Sequence, residues 1–112
     1  MRLVAVFAAL SGAMAVMAGA FGAHGTHGPA AEWLKTGGQY QLVHAVAALV
    51  AWRSEARGPA WCFVVGGALF GGTLYLMALG LPRWLGAVTP IGGALMIGGW
   101  LWLACQLAAK RR

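Results

Sequence analysis

The sequence contains no aspartate and only two glutamates, Glu32 and Glu55, and charged residues of all kinds make up 9% of its 112 residues. An ordinary soluble domain is about one-quarter charged, so this chain has too few charges to cover a surface in water. The shortage of carboxylates also leaves few candidates for carboxylate-driven proton coupling. The composition therefore excludes a typical soluble domain and favours a membrane protein.

Cysteine and catalytic motifs are equally scarce. Cys62 and Cys105 are the two cysteines, and their spacing matches neither a disulfide framework nor a zinc site. The sequence has no nucleophile beside a base, no paired carboxylates, no phosphate loop and no nucleotide fingerprint. We therefore expect no enzyme activity, no catalytic residues, no cofactor, no bound metal and two unreactive thiols.

Apolar residues, at 61%, and 18 glycines dominate what remains. They form four long runs joined by short polar connections, at about 3–23, 29–52, 59–81 and 85–107. A helix of about 20 residues crosses a hydrocarbon layer roughly 30 Å thick. We predict an all-α membrane protein, a single domain over residues 1–112, with four transmembrane helices in a compact antiparallel bundle.

The first run has an alternative interpretation as a secretory signal. Arg2 precedes it, and Ala18-Gly19-Ala20 resembles a cleavage site. Signal h-regions, however, are only about 7–15 residues long, shorter than the stretch Leu3 to Ala23. We therefore predict that this run is retained as a helix.

The second run is the most polar of the four. Pro29 suits a first helical position, but Lys35, Gln39 and Gln41 follow within a stretch that should cross the membrane. Two adjacent glycines, Gly37-Gly38, favour a tilted or kinked helix at that point.

The basic residues predict the orientation. The formal net charge of +6 suggests nucleic acid at first, but the basic residues occupy short connections and ends and form no patch. With four spans, six of the eight fall on one side, which we therefore place in the cytoplasm with both termini; they are Arg2, Arg53, Arg57, Lys110, Arg111 and Arg112. We predict a multi-pass membrane protein that does not bind nucleic acid.

Small residues four positions apart indicate how the helices pack, because they let helix backbones approach closely in lipid. Three of the four predicted helices carry such a stripe. The stripe residues are Ser11, Ala15 and Gly19 in the first helix, Gly67 and Gly71 in the third, and Ala94 and Gly98 in the fourth.

Ordered segments along nearly the whole chain resemble a known family. They are Gly19–Gly25, Tyr40–Ala45, Phe70–Tyr75, Thr89–Gly93 and Gly98–Trp100. Together they are similar to the small bacterial membrane proteins catalogued as domain of unknown function 423, which are related to animal transmembrane protein 256. The resemblance implies four membrane helices, a location in the bacterial inner membrane and no established activity.

Four residues form the candidate polar site: His24, Tyr40, Gln41 and His44. His44 lies about 12 Å inside Trp52, where an ionisable group needs a partner. Tyr40 and Gln41 share its helix face at i−4 and i−3. We expect the hairpin between the first two helices to bring His24 toward Tyr40 or Gln41, although a simple turn-anchoring role for His24 is the alternative.

On this basis we predict the first of three functions, and the other two stay open as alternatives. The first is a noncatalytic interaction protein or accessory subunit, with the lipid bilayer and either a homo-oligomer or a larger membrane complex as partners. The second is a small transporter or channel lined by the polar site. The third is a metal or redox protein that uses His24, His27 and a third ligand such as His44 or Glu32, although no recognised ligand spacing supports it.

Overall fold

The computed structural model describes residues 2–109, and this part of the chain is helical apart from short connections. It contains α1 (Leu3–His24), α2 (Gly28–Arg53), α3 (Arg57–Ala78) and α4 (Thr89–Ala109), with a short 3-10 helix at Arg83–Ala87. The prediction of an all-α chain with four helices is confirmed. Lys110, Arg111 and Arg112, used in the orientation argument, lie outside the described residues, as does Met1.

The ends of α3 and α4 differ from the predicted bounds. The prediction extended the third helix to Leu81, but α3 ends at Ala78 because Gly80 takes a left-handed conformation with φ 103°. The amide of Leu81 donates to the carbonyl of Leu76, and that of Gly80 donates to Met77, which is the Schellman pattern of helix termination. The 3-10 helix then occupies what was predicted as the first turn of the fourth helix.

The end of α2 uses the same motif without glycine. Glu55 has φ 62°, and the amide of Ala56 donates to the carbonyl of Ala51 at 2.8 Å. A non-glycine residue in this region is strained by about 1–2 kcal/mol. The connection between α2 and α3 is therefore tight but carries local strain at Glu55.

Within residues 2–109, three segments are long and apolar enough to cross a membrane. They are α1, α3 and Arg83–Ala109, which joins the 3-10 helix to α4. The second helix is not among them by length and composition alone. It is nevertheless a continuous helix of 26 residues, without a break at Gly37-Gly38.

The bundle is less compact than predicted. The first three helices pack against one another, with α2 antiparallel to both α1 and α3. In the described chain α4 packs along α3 and has no extended backbone packing with α1 or α2. The reason is that the glycines through which α4 makes its closest contacts face α3. A methyl on Gly92 would lie 2.5 Å from the Phe70 nitrogen, and one on Gly99 would lie 2.9 Å from the Cys62 Cβ, so both glycines face α3.

The stripes of α1 and α3 lie at helix contacts. Ser11 and Ala15 are buried. A methyl on Gly38 of α2 would approach the Ala15 carbonyl oxygen to 2.8 Å and the Gly19 nitrogen to 3.1 Å. The backbones of α1 and α2 therefore nearly touch at this level, as small-residue packing in lipid requires.

The stripe predicted in the fourth helix lies on the wrong face. Ala94 and Gly98 are exposed, and a methyl on Gly98 would meet nothing within 4 Å. The packed face is instead formed by Thr89, Gly92, Met96, Gly99 and Leu103, which are the buried residues of α4.

Candidate functional site

Gln41 joins three helices through its side-chain amide. The residue is 2% exposed. Its Nε2 donates to the Ser11 Oγ of α1 at 2.8 Å, and its Oε1 accepts from the Tyr75 hydroxyl of α3 at 2.6 Å. Gly71 lies beside this contact, where a methyl would come within 3.0 Å of the Tyr75 hydroxyl oxygen and 3.3 Å of Oε1. Glycine at position 71 therefore leaves room for the hydrogen bond, whereas a methyl on Gly67 would make only an ordinary contact, 3.7 Å from the Gln41 Cα.

His44 has hydrogen-bond partners on both ring nitrogens. Its Nδ1 lies 2.7 Å from the Tyr40 carbonyl oxygen, and its Nε2 lies 3.0 Å from the indole Nε1 of Trp100. A carbonyl can only accept and an indole N–H can only donate, so the bonds define a neutral imidazole protonated on Nδ1. Both nitrogens are thereby occupied, and a proton added at Nε2 would face the Trp100 N–H. In this state His44 has neither a free lone pair for a metal nor a free donor.

Tyr40 contributes to this arrangement through its backbone more than through its side chain. Its carbonyl accepts from His44, while its ring is 47% exposed and packs on Phe70 at 4.9 Å between centroids. Gln41 does not bond to His44, since it is turned toward α1 and α3. The polar residues predicted to share one face of α2 therefore make two separate sets of contacts, Gln41 with α1 and α3 and His44 with α4.

His24 does not join the other three residues. It is exposed at the end of α1, where the nearby Gly22 packs against Leu34 in the first half of α2. Gln41 instead contacts Ser11, thirteen residues before His24, a separation of about 20 Å along α1. The expected approach of His24 to Tyr40 or Gln41 is therefore wrong.

Two aromatic residues of the site were missed by sequence reasoning. Tyr75 and Trp100 each offer one polar group from a long apolar helix, and both lie in segments that carry the family resemblance. A third polar contact joins the α3 and α4 ends, where the hydroxyls of Thr73 and Thr89 lie 2.5 Å apart. In a membrane-embedded helix such groups need partners, which is the signal that identifies them.

A lateral groove of about 290 Å³ opens between α2 and α4. Aromatic and aliphatic side chains line it, with the His44 ring against Phe63 and Trp100 at its inner wall. The main lining residues are Tyr40, His44, Phe70, Met96, Ile97 and Trp100. The groove exists because the backbone of α4 packs along α3 and reaches α2 only through side chains such as Trp100.

The alternative metal ligands are dispersed. In the part of the chain that the structure describes, no three His, Cys, Asp or Glu side chains are close enough together to hold a metal ion. His27 is exposed just before α2, and the Glu32 carboxylate lies 3.7 Å from the Lys35 ammonium. These residues therefore give no geometric support to a metal centre.

The fold and site define a class: an all-helical protein with apolar, membrane-length helices whose interior polar groups bond between helices. The family model described as "Protein of unknown function (DUF423)" matches residues 18–93, more than half of the chain. The protein belongs to this DUF423 family, as the resemblance of its segments predicted.

Similar proteins cover nearly the whole chain. The UPF0382 inner membrane protein YgdD of Escherichia coli K12 is 37% identical over 99% of this chain and 94% of its own length. The UPF0382 membrane protein SERP0230 of Staphylococcus epidermidis is 39% identical over 90% and 91%, and a Haemophilus influenzae UPF0382 membrane protein is 37% identical over 86% of each chain. No solved structure matches significantly.

Proposed function

We propose that this protein is a four-span inner-membrane protein that acts by noncatalytic association with membrane proteins, as an interaction protein or an accessory subunit. One observation carries the proposal: the interior polar side chains are used to join helices to one another. Gln41 joins α2 to α1 and α3, and His44 joins α2 to α4. Groups engaged in this way stabilise the bundle and leave its outer surface for function.

The proposal requires that α2 crosses the membrane despite its polarity. Its two most deeply placed polar side chains, Gln41 and His44, are buried and bonded to neighbouring helices. Polar groups satisfied in this way are tolerated within the hydrocarbon layer. The antiparallel packing of α2 between two membrane-length helices supports a crossing of its own.

The orientation follows from the charges. Arg2, Arg53 and Arg57 lie at one end of the bundle, whereas Lys35 and Arg83 lie near the other, where the Arg83 guanidinium is 5.2 Å from the centre of the Trp33 ring. The positive-inside rule favours the end richer in arginine as cytoplasmic. This supports both termini facing the cytoplasm.

The chemistry of His44 also favours a noncatalytic role. A general base or metal ligand needs an accessible nitrogen lone pair, and the Nε2 lone pair is directed at Trp100. The names of the relatives state a membrane location and no activity, so they agree with the proposal without adding to it.

A transport function is the second candidate, because the lateral groove brings Tyr40 and His44 to the surface that faces lipid. A flux assay separates the two. Wild-type protein and a His44→Ala variant are reconstituted into liposomes, with protein-free liposomes as the control. We expect no flux above the control under ion, proton or solute gradients; flux that His44→Ala abolishes would replace association by transport.

Association itself is tested by native electrophoresis of membranes solubilised in a mild detergent, at the natural expression level. We expect the chain in an assembly larger than one copy, and we expect His44→Leu to stay in it, because His44 is directed at the chain's own α4. A chain that migrates as a monomer in every mild detergent would contradict the proposal.

A further inference from the structure

The outward face of α2 carries polar groups at a depth where lipid offers no partner. Gln39 is exposed, and its side-chain amide makes no hydrogen bond within the described residues. It lies about 9 Å below Trp33 and about 20 Å above Trp52 along the helix, hence inside the hydrocarbon layer of the proposed topology. The exposed residues of α1 and α4 at comparable depth, such as Met17 and Ile97, are apolar.

Gln39 belongs to a regular row that we call the α2 seam. Its members are spaced alternately by four and three positions, and every one is exposed: Glu32, Thr36, Gln39, Val43, Val46 and Val50. The three valines are 52%, 54% and 55% exposed. Alternating spacing of this kind keeps a row of side chains facing a second, nearly parallel helix through a left-handed crossing.

The seam lies opposite the packed face of α2. Gly38, Gln41 and Ala45 face α1 and α3, and the seam residues lie on the other side of the same helix. A partner on the seam therefore displaces no contact of the monomer. The lateral groove lies at the edge of this face, where Gln39 and Val43 of the seam line a shallow pocket together with Tyr40 and His44.

We infer that the α2 seam pairs with the α2 seam of a second copy of this chain, in a parallel, two-fold symmetric dimer. A two-fold axis along the membrane normal places identical residues of the two copies at the same depth. A carboxamide carries both donors and an acceptor, so two Gln39 side chains that meet across the axis satisfy each other. At the outer end the two Glu32 carboxylates lie at the same depth, and the Lys35 ammonium of each chain, 3.7 Å from its own Glu32, offsets their repulsion.

This inference rests on the proposed crossing of the membrane by α2 and names one partner for the proposed association. A polar residue that continues a row of apolar residues fixes the register of paired helices. The bond between the two Gln39 side chains therefore specifies a self-pairing that the valines alone leave undefined.

Disulfide cross-linking in native membranes tests the seam. In a Cys62→Ser, Cys105→Ser background, single cysteines replace Val43, Val46 or Val50, and a membrane-permeant oxidant is added. Controls at matching depth are Leu10→Cys, since the adjacent Gly12 lies near Ala45, and Ile97→Cys, near the level of His44. We expect covalent dimers at the seam positions and only background at the two controls; equal cross-linking everywhere, or none at the seam, would overturn the pairing.

The role of the Gln39 amide is tested separately. Self-association is measured by Förster resonance energy transfer between fluorophore-labelled copies of the protein in detergent. We expect Gln39→Leu to weaken self-association roughly tenfold, a typical effect for one interhelical polar contact. The matched control Tyr40→Phe removes the neighbouring exposed hydroxyl and should leave the association unchanged. Self-association that is unchanged or stronger in Gln39→Leu would refute the role of the amide.

Failure of this inference is distinguishable from failure of the proposed function. If labelling shows that the two ends of α2 lie on opposite sides of the membrane but seam cysteines form no dimer, only the self-pairing is wrong. Adducts between seam cysteines and a different protein also overturn the homodimer. If α2 does not cross the membrane, both proposals fail together.

Discussion

Replacing Gly92 by alanine tests the claim that backbone contact holds α4 on α3. The added methyl would lie 2.5 Å from the Phe70 nitrogen and 2.7 Å from the Gly66 carbonyl oxygen. An ordinary contact needs about 3.4 Å, so α4 has to move by roughly 0.9 Å. Both opposing atoms belong to the helix backbone of α3 and cannot rotate away as a side chain can.

The magnitude follows from two opposing terms. Overpacking of a tight interface costs about 1–3 kcal/mol, and glycine to alanine inside a helix returns up to about 1 kcal/mol. We expect Gly92→Ala to lower the free energy of unfolding by about 1–2 kcal/mol. The displacement should also lengthen the bond from Trp100 to His44, eight residues further along α4.

Gly98→Ala is the matched control, because it makes the same substitution on the same helix where a methyl meets nothing within 4 Å. We expect it to be neutral or to stabilise by up to about 1 kcal/mol. Unfolding of the purified protein in mixed micelles, followed by circular dichroism during titration with a denaturing detergent, measures both variants. Equal stability of the two variants, or a more stable Gly92→Ala, would refute the backbone-contact account.

Three further variants test the polar contacts and the strained turn in the same unfolding assay. Tyr75→Phe leaves the Gln41 Oε1 buried without a donor and should destabilise by about 1–2 kcal/mol; a neutral result would mean that this hydrogen bond is unimportant. Trp100→Phe removes the donor to His44 and should destabilise the protein by about 1 kcal/mol. A double-mutant cycle with His44→Leu should give a coupling energy above zero. Strict additivity of the two substitutions would contradict the contact. Glu55→Gly relieves the left-handed strain and should stabilise by about 0.5–1 kcal/mol, a gain that would be absent if the connection were flexible.

The number of helices followed from the sequence because apolar runs of membrane length leave few alternatives. The faces of those helices did not follow as easily. Gly92 and Gly93, like Gly98 and Gly99, are adjacent pairs, and α4 is apolar on every side, so no amphipathic pattern marks the packed face. The choice of Gly92 and Gly99 depends on the position of α3, which composition does not encode.

The candidate site was predicted in part for similar reasons. Gln41 and His44 stood out as polar residues in an apolar run, but their partners depend on the relative depth of the helices. That depth is set by the close contacts of glycines such as Gly38 and Gly71. The expected approach of His24 to the middle of α2, in contrast, is excluded by the rise per residue of a helix. In a hairpin of two helices the start of α2, and not its middle, lies beside the end of α1.

Whether α2 crosses the membrane is the central claim, and labelling its two ends tests it directly. In the background without Cys62 and Cys105, one cysteine replaces Thr26, just before α2, and another, in a separate variant, replaces Glu55, just after it. A membrane-impermeant maleimide is applied to cells whose outer membrane has been permeabilised and whose inner membrane is intact. The account predicts that Thr26→Cys is labelled at once and Glu55→Cys only after the inner membrane is opened; labelling of both cysteines from the same side would contradict it.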